Sequence, residues 1–509
     1  MAMQKLVNYK KIRSLLSARV VSFQSSFEVE SKKGFFKQNR RRFSRKAKSL
    51  ISFAIIIIML ISVFAFLPKG NQSTPRSKFS PTVSMTIQGN ISQPSPTSQP
   101  SKSNPLSALS KAIGDAVGST VQALSPSPTP HPPGVIASAQ TINSTVWQAV
   151  AETAWKYFQP GTGVDSDNGL PYSGIGAPAF TDWDLGVYIQ AVIDAQKIGL
   201  IGTDGDWGFN ARIDKVLTFL ETRELNSSTN YPYWFYQTDD GKDYHEESDF
   251  ATGPVDVVDT GRLFVALANL RAFNSSLAPR INNIVLYGQN NGRSNYTALL
   301  PSIQSSASDN SIYTYYVVSG FASFFTSVSN VPSTILNNIV SAQNVTTPEG
   351  VSLPKAQISG DPLLCSVFEL NNNDSRLLAL ARQVYLAHEA YYNTTGKYRA
   401  FSEGPSLNYA WVYEWVVLSD GRTWTVLDES NSNFDISPMI YTKVAVSFLA
   451  LYNTTFAHNM SVYLENTLPD PVYGYCEGVD ESGHILPGFG GNTNSLILDA
   501  ALYVIQNNP

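Results

Sequence analysis

Eight helix-period runs, separated by long loops, constrain this chain most. They are "STVWQAVAETAWKYF", "LGVYIQAVIDAQKIGL", "FNARIDKVLTFLETREL", "DTGRLFVALANLRAF", "STILNNIVSAQ", "SRLLALARQVYLAHEAYY", "MIYTKVAVSFLALYN" and "NSLILDAALYVIQ". Apolar residues recur in them at three- and four-residue spacing, which gathers them on one helix face. Few segments alternate with period two, so a β-sandwich or barrel is disfavoured. The loops between the runs are rich in Gly, Pro, Tyr and Trp. Helix pairs joined by aromatic and acidic loops fit a mainly α, (α/α)6-type toroid, whose inner helices pack centrally and whose loops form a cleft at one end. An irregular bundle or an α-solenoid gives much the same pattern.

Ahead of these runs the composition changes three times. Residues 1–49 are basic and end in "RRRFSRKAKS"; residues 50–67, "LISFAIIIIMLISVFAFL", are uncharged and long enough to cross a bilayer core. Lys and Arg crowd the N-terminal side of this run, which predicts a cytoplasmic tail and an exported C-terminal bulk. The tail's length and the lack of a small-x-small cleavage pattern favour an uncleaved signal anchor over a secretory signal. Residues 68–137 are rich in Ser, Thr, Pro and Gln, cannot bury a core and read as a stalk. Residues 138–509 are then left as one globular unit.

Up to Lys69 there are 15 Lys and Arg against two Glu; beyond it, 21 basic residues face 38 acidic ones. An acidic ectodomain argues against a nucleic-acid partner. All Asn-x-Ser/Thr sequons, from Asn71 to Asn459, follow the apolar run, in keeping with an exported and glycosylated domain. Low charge with abundant Tyr and Asn is also the composition expected of an archaeal surface protein. The only cysteines, Cys365 and Cys476, are read either as one disulfide or as two buried thiols. The five histidines are scattered without HExxH, and "GVDSDNGL" lacks the ligand series of a calcium loop, so no metal and no cofactor is expected. No phosphate-binding Gly loop, nucleophile elbow or Cys-His arrangement stands out.

The stretch "FTDWDLG" places Asp182 and Asp184 around Trp183 at a helix start. It reads as an N-cap, and equally as a sugar-binding edge at the mouth of an inner helix. In "VVDTGRL", Asp259 and Arg262 read as a helix start with an ion pair, or as a hydroxyl-binding pair. Trp234, Tyr236 and Trp411 lie in loop-like segments, where rings either fill the core or stack on a pyranose. Glu477 in "GYCEGVDESG" is a reserve acid, as is Glu414 in "WVYEWVV".

The order and spacing of "WDLGVYIQAVIDAQKIGLI", "RIDKVLTFLETREL", "YPYWFYQTDDG", "VDVVDTGRLFVALANLR", "GYCEGVDESG" and "NTNSLILDAALYVI" resemble domain of unknown function 3131, from about Trp147 to the C-terminus. The same order is similar to glycoamylase-like α/α-toroid enzymes that act on β-glucans. "VFEL" and "FSEG" occupy the places of that group's Phe-Glu pair and Ser-Glu-Ser loop, although the second Ser is missing. The resemblance implies a glycoside hydrolase or transglycosidase. Glycoside hydrolysis uses two carboxyls across the scissile bond, one protonated and one ionised. Glu369, among apolar neighbours, and Glu403 are therefore the expected catalytic pair, as acid and as base or nucleophile. Asp182, Trp183, Asp184, Trp234, Tyr236, Asp259, Arg262, Trp411 and Glu477 are the expected substrate-binding residues.

The expected function is thus a membrane-anchored, outward-facing domain acting on a cell-surface or environmental polysaccharide. A non-catalytic glycan-binding or envelope protein is the alternative. A polysaccharide lyase is a third reading, disfavoured because an acidic cleft repels uronates.

Overall fold

The computed structural model describes residues 133–507, apart from 228–229, 245–255, 287–295, 371–372, 408–409, 429 and 487. The basic tail, the apolar run at 50–67 and the stalk up to residue 132 lie outside the described residues. Within the described residues, no helix is long and apolar enough to cross a membrane.

Thirteen α-helices are described: α1 (Ser144–Trp155), α2 (Asp182–Ile198), α3 (Phe209–Thr222), α4 (Val257–Phe273), α5 (Ala278–Leu286), α6 (Leu300–Ser305), α7 (Ile312–Ala322), α8 (Val331–Ser341), α9 (Gly360–Glu369), α10 (Ser375–Thr395), α11 (Thr442–Tyr452), α12 (Thr455–Thr467) and α13 (Gly491–Asn507). Six of them close a ring. Helix α2 packs on α4, α4 on α7, α7 on α9, α9 on α11, α11 on α13, and α13 back on α2. Six others form an outer layer: α1 against α13 and α2, α3 against α2, α5 against α4, α8 against α7, α10 against α9 and α12 against α11.

Burial follows the layer. Outer α3 buries a stripe, Phe209, Arg212, Ile213, Val216, Leu217 and Leu220, whereas inner α7 buries eight of its eleven residues. The closest inner contact needs glycine on both sides, because a Cβ at Gly320 would stand 2.1 Å from the Gly261 carbonyl oxygen.

Short antiparallel pairings brace one end of the ring. Strand β1 (Ala179–Phe180) pairs with β2 (Tyr236–Gln237). Asn344–Thr346 (β3) pairs with Ser352–Pro354 (β4). A three-stranded sheet, β5 (Glu403–Pro405), β6 (Trp411–Val417) and β7 (Thr423–Asp428), covers the start of α9. Met439–Tyr441 (β8), Gly478–Asp480 (β9) and Ile485–Leu486 (β10) form another.

The structure sharpens the sequence reading at three places. The stalk ends earlier than residue 137, since Ile136 is in the core and Ala137 N–H donates to Glu465 Oε2 at 2.8 Å. Cys365 and Cys476 are separate buried thiols. The "GVDSDNGL" segment is a turn, in which Asp165 Oδ1 accepts from the N–H groups of Asp167 and Asn168, both at 2.9 Å.

Candidate active site

The first turns of the inner helices meet at one mouth. Trp183 of α2 stacks on Tyr313 of α7, with ring centroids 5.8 Å apart. Thr181, the cap of α2, lies beside the Asp259 carboxyl of α4. Asp361 of α9 is ion-paired with Lys443 of α11 and accepts from Asn492 Nδ2 of α13 at 2.8 Å. Helix N-termini carry partial positive charge, so a place where several converge favours carboxyl groups. Asp184, Asp256, Asp259, Asp361, Glu403 and Glu477 collect there.

Glu403 is the most distinctive of these. Strand pairing puts it opposite Tyr413, and Phe401, two residues earlier, is fixed by its carbonyl accepting from Gly360 N–H at 3.0 Å. On the other side of Phe401, its N–H donates to Nε2 of the buried His388 at 3.2 Å. The Glu403 side chain is 3% exposed; Oε1 accepts from the Tyr313 hydroxyl at 3.2 Å, and Oε2 has no hydrogen-bond partner among the described residues. Burial first, then the Asp361 charge, pushes its carboxyl up to about 8, against the opposing pull of Lys443, Tyr313 and Arg262. Glu403 therefore keeps its proton at neutral pH.

Asp361 is the opposite case. Burial works to raise it, but Lys443 beside it and the Cys365 thiol, 3.2 Å from Oδ1, hold it below the usual carboxylate range. Glu477 is raised mainly by burial, with Lys443 opposing, and accepts from Thr493 Oγ1 at 2.6 Å.

Across the ring from α9, Asp184 answers both readings of "FTDWDLG". It completes a capping box, accepting from Thr181 N–H at 2.9 Å through Oδ2, while remaining only partly buried. Burial raises it to about 6, so it is largely ionised at neutral pH. Asp259 is also partly buried and accepts from Trp234 Nε1 at 3.2 Å; desolvation and then neighbouring Asp256 raise it. Trp411 is 37% exposed, on the strand that pairs with β5.

Five expected site residues are taken up by partners within the protein. Glu369, in the last turn of α9, is enclosed by an ion pair with Arg262 and by the Tyr316 hydroxyl, which donates to Oε2 at 2.6 Å. A carboxyl held in this way serves as a structural acceptor, which argues against the role expected for Glu369 beside Glu403. Arg262 is thereby committed to Glu369 and not to Asp259; a Cβ on Gly186 would stand 2.9 Å from its side chain. Asp182 is buried against Arg223, which also donates to the Tyr296 hydroxyl at 3.0 Å. Trp183 is 8% exposed, packed by Tyr313 and by the Arg262 guanidinium 5.5 Å from its ring, so it is a wall and not an open stacking face. Tyr236 is fully buried, its hydroxyl donating to the Glu224 carbonyl at 2.7 Å.

Below the mouth a second polar layer follows the ring axis. Gln190 Nε2 donates to Asp194 Oδ1 at 2.9 Å, and Asn269 Nδ2 bridges Gln190 and the Glu369 carbonyl. Asp194 and Asp499 face each other there; burial raises both, Asp194 to about 6.

Sequence reasoning missed Tyr313, Tyr316, Asp361, Lys443 and Asn492. One signal was present: Lys443 is the lone charge in "MIYTKVAVSFLALYN", and a buried lysine needs a partner. Among the described residues no group of three or more His, Cys, Asp or Glu is arranged to hold a metal ion. Two surface cavities, at Glu221, Pro279 and Arg280 and at Arg422, Trp424 and Phe434, are lined by none of the mouth carboxyls.

A ring of six inner helices whose N-terminal turns surround buried carboxyls defines an α/α toroid with an acidic mouth. The chain belongs to the family described as protein of unknown function (DUF3131), which it matches over residues 149–507. No curated protein matches the sequence. Similar solved structures include an endo-β-1,2-glucanase from Chitinophaga pinensis in complex with sophorotriose and glucose, at 12% identity over 71% of this chain and 93% of that one, TM-score 0.44. A putative glucoamylase from Bacteroides caccae is 14% identical over 71% and 94%, TM-score 0.46. An endo-β-1,2-glucanase from Talaromyces funiculosus with sophorose is 11% identical over 74% and 89%, TM-score 0.49.

Proposed function

We propose that the mouth is a glycan-cleaving site in which Glu403 donates a proton to the leaving glycosidic oxygen and Asp184, across the ring, activates water. The observation that carries this is the state of Glu403: a buried carboxyl, protonated at neutral pH, held through one oxygen by Tyr313 and with its other oxygen unpartnered among the described residues. A general acid in glycoside hydrolysis needs that state. Asp184 supplies the complement, a partly exposed carboxylate ionised near neutral pH. Trp234 with Asp259, and exposed Trp411, supply ring faces and hydroxyl acceptors for a carbohydrate.

In the same reading residues 50–67 anchor the chain and hold the domain outside the cell. The basic residues before that run and the exposed sequon asparagines Asn143, Asn344, Asn373, Asn393, Asn453 and Asn459 support it. Labelling intact cells with a membrane-impermeant reagent reaches the domain in this arrangement; protection from the label contradicts it.

A binding-only domain is favoured by one observation, the enclosure of Glu369 in an ion pair. The two readings part in one assay. The full chain, E403Q and D184N are incubated with a panel of neutral oligo- and polysaccharides and the products are separated. The catalytic reading expects cleavage by the wild type and a loss of about 10²–10⁴-fold in E403Q. Binding without cleavage by the wild type, or full activity in E403Q, sinks it.

A further inference from the structure

Lys443 is costly where it lies. It is 1% exposed, and it occupies the first turn of α11, where the helix dipole opposes a cation. Neither α9 nor α11 has a side-chain N-cap hydrogen bond. Instead the Lys443 ammonium is ion-paired with Asp361 in the first turn of α9, and Asn492 Nδ2 of α13 reaches the same Asp361 Oδ2 at 2.8 Å. The Tyr441 ring lies 5.6 Å from the ammonium. Three inner helices are thus tied at their starts through the Asp361 carboxylate, and Glu403 and Glu477 both lie within the field of its Lys443 partner.

We propose that Lys443 is a positioning residue for the reacting carboxyls: with Asp361 and Asn492 it forms a fixed charged knot that sets how firmly Glu403 holds its proton. The proposal rests on the reading of Glu403 as the acid, but its test needs no substrate. The groups facing Glu403 are Tyr313 from α7, Asp361 from α9, Lys443 from α11, Arg262 from α4, and Tyr413 and Tyr441 from β6 and β8. Of these, Asp361 and Lys443 carry opposite charges and act on Glu403 in opposite senses. A knot that merely braces the helices loses the same thing whichever partner is removed. A knot that sets the proton does not.

The test is an infrared pH titration of the full chain, with the Glu403 carboxylic-acid band isolated by subtracting the spectrum of E403Q. K443M removes the cation; once Asp361, itself raised by losing its partner, has ionised, it faces Glu403 unopposed and moves the Glu403 titration upward by about 1 pH unit or more. D361N removes the repelling carboxylate, frees Lys443 and moves it downward by a similar amount. N492A, which loosens the knot but keeps both charges, leaves the midpoint in place. Shifts of one sign in K443M and D361N, or no shift in either, overturn the proposal. Should K443M fail to fold, the sign in D361N decides. Should both fail, N492D, at a partly exposed position, decides: an added carboxylate moves the titration upward, and an unmoved midpoint overturns the proposal. Failure of E403Q to lose activity refutes the catalytic reading without touching this result.

Discussion

Two glutamates, equally buried, mark the two levels of the ring. Glu369 lies at the lower one, paired with Arg262 and accepting from Tyr316; Glu403 lies at the mouth, with a tyrosine on one oxygen and, among the described residues, no cation bonded to it. Burial alone costs an ionised carboxyl several kcal/mol, and a group answers either by taking a partner or by keeping its proton. Glu369 took the partner and became part of the scaffold. Glu403 kept the proton, which is what an acid catalyst requires. The difference teaches that depth alone does not decide how a buried acid is compensated; its neighbours do.

The sharpest way to break this comparison is to exchange the two residues' fates. E403Q is expected to lose about 10²–10⁴-fold in glycan cleavage while unfolding no more easily than the wild type; equal losses of activity and stability would erase the contrast. E369L strands the buried Arg262 charge and is expected to lower the unfolding free energy by about 3–5 kcal/mol, measured by denaturant titration. Replacing both, as R262M/E369L, should restore most of that stability.

A third test uses pH. The unfolded chain releases the Glu403 proton near the ordinary glutamate value and the folded chain near 8, so between those points the folded state binds more protons. Stability contributed by this group is therefore full at acid pH and falls as pH rises through that window. E403Q abolishes this fall, so its advantage over the wild type is expected to be absent near pH 4 and to grow toward pH 8, roughly the window's limits. A constant difference across the range contradicts the protonation assigned to Glu403. The smallest effect concerns the rim: W411A removes an exposed ring and is expected to weaken glycan binding roughly threefold to tenfold, read by calorimetry, with the catalytic step unchanged.

Much of the outer layer was legible because its helices are half wet. The stripe on α3 is a local signal. Helix α7 escaped because it is buried nearly all round, and a helix enclosed on every side has no amphipathic period to read. At the site, Asp184 was recognisable as both cap and edge because its partner, Thr181, is three residues away. Glu369 misled for the converse reason. Its apolar neighbours in sequence suggested a raised acid, while the arginine that neutralises it comes from 107 residues upstream. Tyr313, which holds Glu403, is 90 residues distant, and the Asp361–Lys443 pair spans 82. Charges set by long-range pairing are invisible to a local reading, and at this mouth nearly all of them are.

The central claim is tested most directly by a crystal structure of the E403Q chain soaked with a neutral oligosaccharide. The account predicts a glycosidic oxygen within hydrogen-bond distance of the residue 403 amide, with Asp184 on the opposite wall and the Arg262–Glu369 pair intact beneath. A sugar bound away from residue 403, or one that displaces Arg262 to reach Glu369, would contradict it.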